Sequence, residues 1–102
     1  MEFTWDERKN RVNRKKHGVS FEMASLVFDD PLHISVQDRE VDGEARWQTI
    51  GMVANLLLLV VAHTVHAHTV QAHTVDQDAE LIRILSARKA TRRERSIYAQ
   101  GS

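Results

Sequence analysis

The segment Leu56–Leu85, LLLLVVAHTVHAHTVQAHTVDQDAELIRIL, decides how this chain folds. It opens on a continuous apolar run, Leu56–Val61, which reads as a central strand buried on both faces. The run is far too short to cross a bilayer, which takes ~20 residues. It closes on Leu81–Leu85, a second strand in which Arg83 alternates with Ile82 and Ile84 and shares a face with Leu81 and Leu85. Between them AHTV occurs three times, at Ala62–Val65, Ala67–Val70 and Ala72–Val75, and four of the six histidines fall there. The repeating unit is a pentad: VAHTV from Val61, HAHTV from His66 and QAHTV from Gln71.

A histidine repeat suggests a metal site, but strand geometry opposes it. Alternation puts His66 and His68 on one face and His63 and His73 on the other, with His63 and His73 ~33 Å apart if extended. Two imidazoles without a third ligand make a weak site, so no metal is expected. Thr and Val favour strands, and the neighbouring strands look too short to cover a longer one. Unpaired backbone of that kind invites another chain, as a homodimer or a strand-swapped oligomer through Val61–Val75. A disordered loop is the alternative.

Outward from this segment, Phe3 and Trp5 alternate with polar neighbours as a short strand. Asp6 is placed to cap a helix over Glu7–His17, with Gly18 as its left-handed stop. Ser20 caps a second helix, Phe21–Phe28, ended by Asp30-Pro31. Leu32, Ile34 and Val36 alternate with His33 and Ser35, which makes a strand with His33 on its solvated side. Asp42-Gly43 is a turn signal, Ala45–Ile50 the next strand, and Gly51–Asn55 a further turn. Ser86–Ala90 reads as a connection, and Thr91-Arg-Arg-Glu94 is a capping box that starts a last helix at Arg92. Consecutive strands without helices between them imply an antiparallel sheet of three to four strands, hence an α+β fold in a single domain over residues 1–102.

Lys+Arg and Asp+Glu both number 14, so net charge excludes a generic polyanion binder. The charges are segregated, however. Arg8–Lys16 and Arg83–Arg95 are basic and Asp29–Glu44 is acidic, which allows a local anion site on a neutral chain. The absence of cysteine excludes disulfides and thiolate chemistry. No apolar signal segment follows the start, so a cytoplasmic protein without a membrane anchor is expected.

Four blocks carry a family resemblance: FTWDERKNRVNRKKHGVSFEMASLVFDDP (Phe3–Pro31), EARWQTIG (Glu44–Gly51), LLLLVVAHTV (Leu56–Val65) and IRILSARKATRRERSIYAQ (Ile82–Gln100). In this order they resemble the BrnT family of type II toxins, the DUF497 group. The pairing of KHGVSF with SARKATRRER is the specific part. The resemblance implies a RelE-like ribonuclease that cuts RNA without a metal or other cofactor. It also implies a BrnA-like antitoxin that neutralises the toxin, with promoter DNA bound only through that antitoxin. The family pattern has one AHTV-like unit followed by a polar turn, so residues 66–75 read as a two-pentad insertion. An insertion of even length restores the facing of everything beyond it, Arg83 included.

Metal-free cleavage makes the ribose 2′-hydroxyl the nucleophile on the adjacent phosphate, which calls for proton transfer and for cations around a pentavalent phosphorus. Arginine forks suit the phosphate oxygens. The catalytic candidates are Arg46, Arg83, Arg88 and Lys89 as cations and His63 and Tyr98 as proton-transfer groups. Lys15, Lys16, Arg92 and Arg93 are candidates for binding RNA. Each has a plainer reading: Arg83 as an ordinary strand arginine, Tyr98 as a packing residue, and the basic helix as a solvated face. Two other functions compete, a catalytically inactive antitoxin-binding module and an RNA-binding domain without nuclease activity.

Overall fold

The computed structural model describes residues 1–72 and 75–101, and side chains outside 68–78. The chain runs β1 (Glu2–Thr4), α1 (Glu7–His17), α2 (Phe21–Ser25), a 3-10 turn over Leu26–Asp29, β2 (Ile34–Val41), β3 (Glu44–Val53), β4 (Leu57–Ala72), β5 (Val75–Lys89) and α3 (Arg92–Gln100). The strands make one sheet in the order β1-β5-β4-β3-β2. The fold is α+β as expected, but the sheet is mixed and five-stranded. β1 joins the edge parallel to β5, with Phe3 opposite Ile82, while the other pairings are antiparallel.

Local chemistry accounts for the helices. The Asp6 carboxylate accepts from the Arg8 and Lys9 amides, and Gly18 closes α1 at φ 70°. The Ser20 hydroxyl accepts from the Met23 amide, and Asn10 Oδ1 takes the Phe21 amide at 2.8 Å. The second helix stops at Ser25 and tightens into the 3-10 turn, earlier than Phe28.

α1, α2 and the 3-10 turn lie against one side of the sheet. Val19, Phe21, Ala24 and Val27 pack on Val53, Leu59, Val61, Ile82, Ile84 and Ala87, all buried. β4 is the central strand, and its apolar run is buried on both faces: Leu59 and Val61 toward the helices, Leu58 and Val60 away from them. The far side carries a smaller cluster of Ile50, Leu58 and Val60, against which Met52, Ala90 and Tyr98 pack.

Gly51, expected in a turn, lies inside β3. A Cβ there would stand 2.7 Å from the Val27 carbonyl oxygen, so the glycine lets the 3-10 turn settle directly on the sheet. The turn itself falls at Ala54 and Asn55, both at positive φ. Likewise, Ser86–Ala90 is not a connection, because β5 continues to Lys89.

α1 is fastened by polar groups. Asn13 Nδ2 donates to the Val19 and Ala87 carbonyls, each at 2.8 Å, and its Oδ1 accepts from the Ala87 amide at 3.2 Å. Asn10 is fully buried and also donates to Glu22.

The repeat forms backbone strand. β4 pairs with β5 from Leu59↔Lys89 out to Ala72↔Val75. The expectation of uncovered backbone is therefore corrected: β5 is long enough to pair with β4 throughout. Beyond β3 and β1 these two strands form a two-stranded arm with no third strand alongside, among the described residues. His73 lies outside the described residues, and the side chain of His68 outside the described side chains.

Candidate functional site: the open face of the sheet

Among the described residues the far face of the sheet is covered by α3 at one end. Glu94 does two things there. It completes the capping box with Thr91, and it holds Arg88 through two parallel hydrogen bonds of 2.7 and 2.9 Å. The Arg88 guanidinium is the leading reason that the Glu94 carboxyl sits at about 2. At the other end of α3, the Tyr98 hydroxyl donates to Asp30 at 2.5 Å, and the same carboxylate oxygen accepts the Met52 amide. That bond raises the Tyr98 phenol to about 12.

The Glu94 clamp carries a pH prediction. Its carboxyl is depressed from 4.5 to about 2, so the ionised form is favoured by folding. The stabilisation is complete above 4.5 and is lost as pH falls from there through about 2. Thermal melts of the wild type should exceed those of Glu94→Gln at neutral pH, and the gap should close over that acidic window. A gap constant with pH would separate the clamp from ionisation.

Away from α3 the same face is open, and arginines cross it in a row. Arg39 lies opposite Arg46, and Arg83 lies opposite Thr64. Trp47 pairs with His63, so the next position of β3, Arg46, falls beside Thr64 on the open face. Like charges directly opposite each other are destabilising, which marks this row as a place for an anion. Among the described residues neither Arg39 nor Arg83 has an ion-pair partner. Thr64 is 1% exposed, and among the described residues its hydroxyl has no hydrogen-bond partner, nor has Arg46 Nε. Arg46 Nε stands 3.8 Å from Glu44, which is a charge contact too long for a hydrogen bond. An unmade buried hydrogen bond costs ~1–3 kcal/mol, so both orphaned groups favour a polar ligand on this face. One row farther along, Glu44 meets His66 Nε2 at 3.0 Å.

The sequence candidates are thus divided. Arg46 and Arg83 share the open row. Arg88 is on the same face but several residues along β5, clamped by Glu94. Lys89 is exposed at the end of β5, and Arg92 and Arg93 are exposed on the first turn of α3. Lys15 and Lys16 lie across the sheet, on exposed positions of α1. There an open groove of about 840 Å³ is lined by Arg11, Arg14 and Lys15, with Glu22 opposing them.

His63 is on the helix side and only 2% exposed. Its Nε2 meets Thr49 Oγ1 at 2.7 Å, and Thr49 meets Ser35 at 2.6 Å. Burial pushes its pKa down. It borders a cavity of about 380 Å³ with His33, Trp47, Glu80 and Phe28. His33, expected in solvent, is half-buried, with its ring nitrogen 2.7 Å from the Asp30 carbonyl. The Glu44–His66 pair was not among the sequence candidates. Only the strand register, which no local pattern gives, brings the two together.

The arginine-crossed open face of this small α+β domain is the candidate site. Comparison with known proteins narrows this. The family profile described as "Ribonuclease toxin, BrnT, of type II toxin-antitoxin system" matches residues 5–94. The chain belongs to that family. The crystal structure of the Brucella abortus ribonuclease toxin BrnT superposes with a TM-score of 0.60 at 26% identity, over 90% of this chain and 99% of that one. No curated protein sequence matches. No helix among the described residues is long and apolar enough to cross a membrane.

Proposed function

We propose that this chain is the endoribonuclease toxin of a type II toxin–antitoxin pair, with a RelE-like fold, cutting RNA in the cytoplasm without a metal. The observation that carries this is the open row of Arg39, Arg46 and Arg83 around the unpartnered Thr64 hydroxyl. Arg46 and Arg83 take the scissile phosphate, where guanidinium forks neutralise the charge that builds on its oxygens. Lys89, Arg92 and Arg93 extend a cationic track toward α3. Lys15 and Lys16, on the other side of the sheet, contact RNA flanking the scissile bond. Arg88 acts mainly by holding α3. A BrnA-like antitoxin covers the open face, and promoter DNA is bound only through it.

Residues 66–75 are read as a two-pentad expansion. An active enzyme is favoured over an inactive module because Arg83 stays opposite Thr64 and beside Thr4, at the base of the arm.

Cleavage of a single-stranded RNA in excess EDTA is the test. Undiminished turnover is expected, since among the described residues no group of three or more metal-ligating side chains comes together. Activity that vanishes with EDTA and returns with zinc or magnesium would refute the metal-free mechanism.

The arm carries a separate expectation. Among the described residues its two outer edges are unpaired beyond β1 and β3, and such edges template pairing with another chain. The whole chain should scatter light as a dimer or larger, and a version lacking residues 66–75 as a monomer. Equal monomer masses would leave the arm as a solitary protrusion.

A further inference from the structure

We propose that Glu44 and His66 are the proton-transfer pair of this site, with His66 as the base that takes the ribose 2′-hydroxyl proton and Glu44 as the carboxylate that holds the ring. The proposal rests on the ribonuclease reading and adds to it the group that the cation row lacks.

Neither proton-transfer candidate from the sequence presents a usable atom on the open face. His63 is buried on the helix side with Thr49 on its Nε2, and the Tyr98 hydroxyl is committed to Asp30. His66 is different. It lies opposite Leu81 on β5, two residues from Thr64, so its side chain leaves the same face as Thr64 and Arg83. Its ring is half-exposed, with 48% of the side chain accessible. Glu44 begins β3 just after the Asp42-Gly43 turn, and its carboxylate lies between the two groups it serves: 3.0 Å from His66 Nε2 and 3.8 Å from Arg46 Nε.

The bond to Glu44 selects a tautomer. With Nε2–H donating to the carboxylate, Nδ1 keeps its lone pair and becomes the acceptor. The carboxylate also holds the ring in one orientation while Nδ1 takes a proton, the arrangement that makes a histidine an effective base. The diagonal neighbour on β5, Arg83, lies within reach of a phosphate shared with Arg46. The site then holds a base, its orienting acid and two cations around one unpartnered hydroxyl.

The step balances without any further reagent. His66 Nδ1 removes the 2′-hydroxyl proton as that oxygen bonds to the adjacent phosphorus. The bond from phosphorus to the 5′ oxygen breaks, and that oxygen takes a proton from water. The products are a 2′,3′-cyclic phosphate and a 5′-hydroxyl, and the imidazolium returns its proton to solvent. Arg46 and Arg83 bear on the phosphoryl oxygens throughout.

The test is steady-state cleavage of a short RNA in EDTA by the wild type, His66→Ala, Glu44→Gln and Glu44→Asp, each checked for folding by circular dichroism. General base catalysis contributes ~10²–10⁴-fold, so His66→Ala should lose at least ~100-fold in kcat, and added imidazole should restore part of it. Glu44→Gln should lower kcat while leaving KM unchanged or smaller, because an acidic side chain has been removed from an anion site. Glu44→Asp should recover part of the loss. A His66→Ala enzyme that cuts at the wild-type rate, or one whose loss imidazole does not touch, overturns the assignment. A wild type that cuts no RNA sinks the ribonuclease reading and the pair with it. A wild type that cuts while His66→Ala cuts equally well sinks the pair alone.

Discussion

Arg83→Ala should lower RNA cleavage by more than tenfold, the equivalent of about 1.4 kcal/mol of transition-state stabilisation, while leaving the melting temperature close to that of the wild type. The asymmetry follows from where Arg83 sits. Its side chain is exposed on the open face, opposite Thr64, and it makes no ion pair among the described residues. Removing it therefore takes away nothing that holds the fold. Its neighbours Ile82 and Ile84 are 1% exposed and keep β5 in place from the other face. Arg88→Ala is the contrast. It should also lose more than tenfold, but together with a fall in thermal stability, because it opens the clamp on Glu94. Turnover by Arg83→Ala at the wild-type level, with circular dichroism unchanged, would remove Arg83 from the site.

The largest loss of stability should come from Asn13→Ala. Asn13 is 7% exposed and makes three hydrogen bonds, to the Val19 carbonyl and to both the carbonyl and the amide of Ala87. A typical hydrogen bond contributes ~0.5–1.5 kcal/mol net, and each buried partner left unsatisfied costs ~1–3 kcal/mol. A loss of about 3 kcal/mol is expected, a large share of the ~5–15 kcal/mol that holds a small domain. Urea melts should show the midpoint falling with an unchanged slope. Asn13→Asp should be worse, since it turns a carboxylate toward two carbonyl oxygens. A shift below about 0.5 kcal/mol, the range of ordinary surface substitutions, would mean that water replaces the side chain without cost.

Asn13 also shows where sequence reading stops. The caps at Asp6, Gly18, Ser20 and Thr91–Glu94, and the turn at Asp42-Gly43, were legible because their chemistry is complete within a few residues. The buried run of β4 was legible from apolarity alone. The docking of α1 was not. Its one aliphatic side chain, Val12, is 60% exposed, and the helix turns two asparagines to the core instead. No hydrophobic periodicity records that choice. Gly51 looked like a turn because its role, the close approach of Val27, is set by a residue far away in sequence. The start of β5 was missed for a related reason: Asp76-Gln77-Asp78 has no strand preference of its own and is extended because β4 lies beside it.

The site divides in the same way. Alternation put Arg83 on the face away from Ile82 and Ile84, where it lies opposite Thr64. It could not say that His63 is sealed against Thr49 or that His66 meets Glu44, since both depend on how β3 and β4 are registered.

The arm of β4 and β5 has a consequence for inheritance. Its pentads are encoded by whole codons, and near-identical tandem units are where copying slips, so units can be gained or dropped without disturbing the reading frame. The arm absorbs such changes beyond its base, where β3 on one side and β1 on the other fix the pairing. Lineages of this gene can therefore differ in arm length while Arg46, Thr64 and Arg83 stay in line, but only an arm that keeps His66 keeps that histidine beside Glu44.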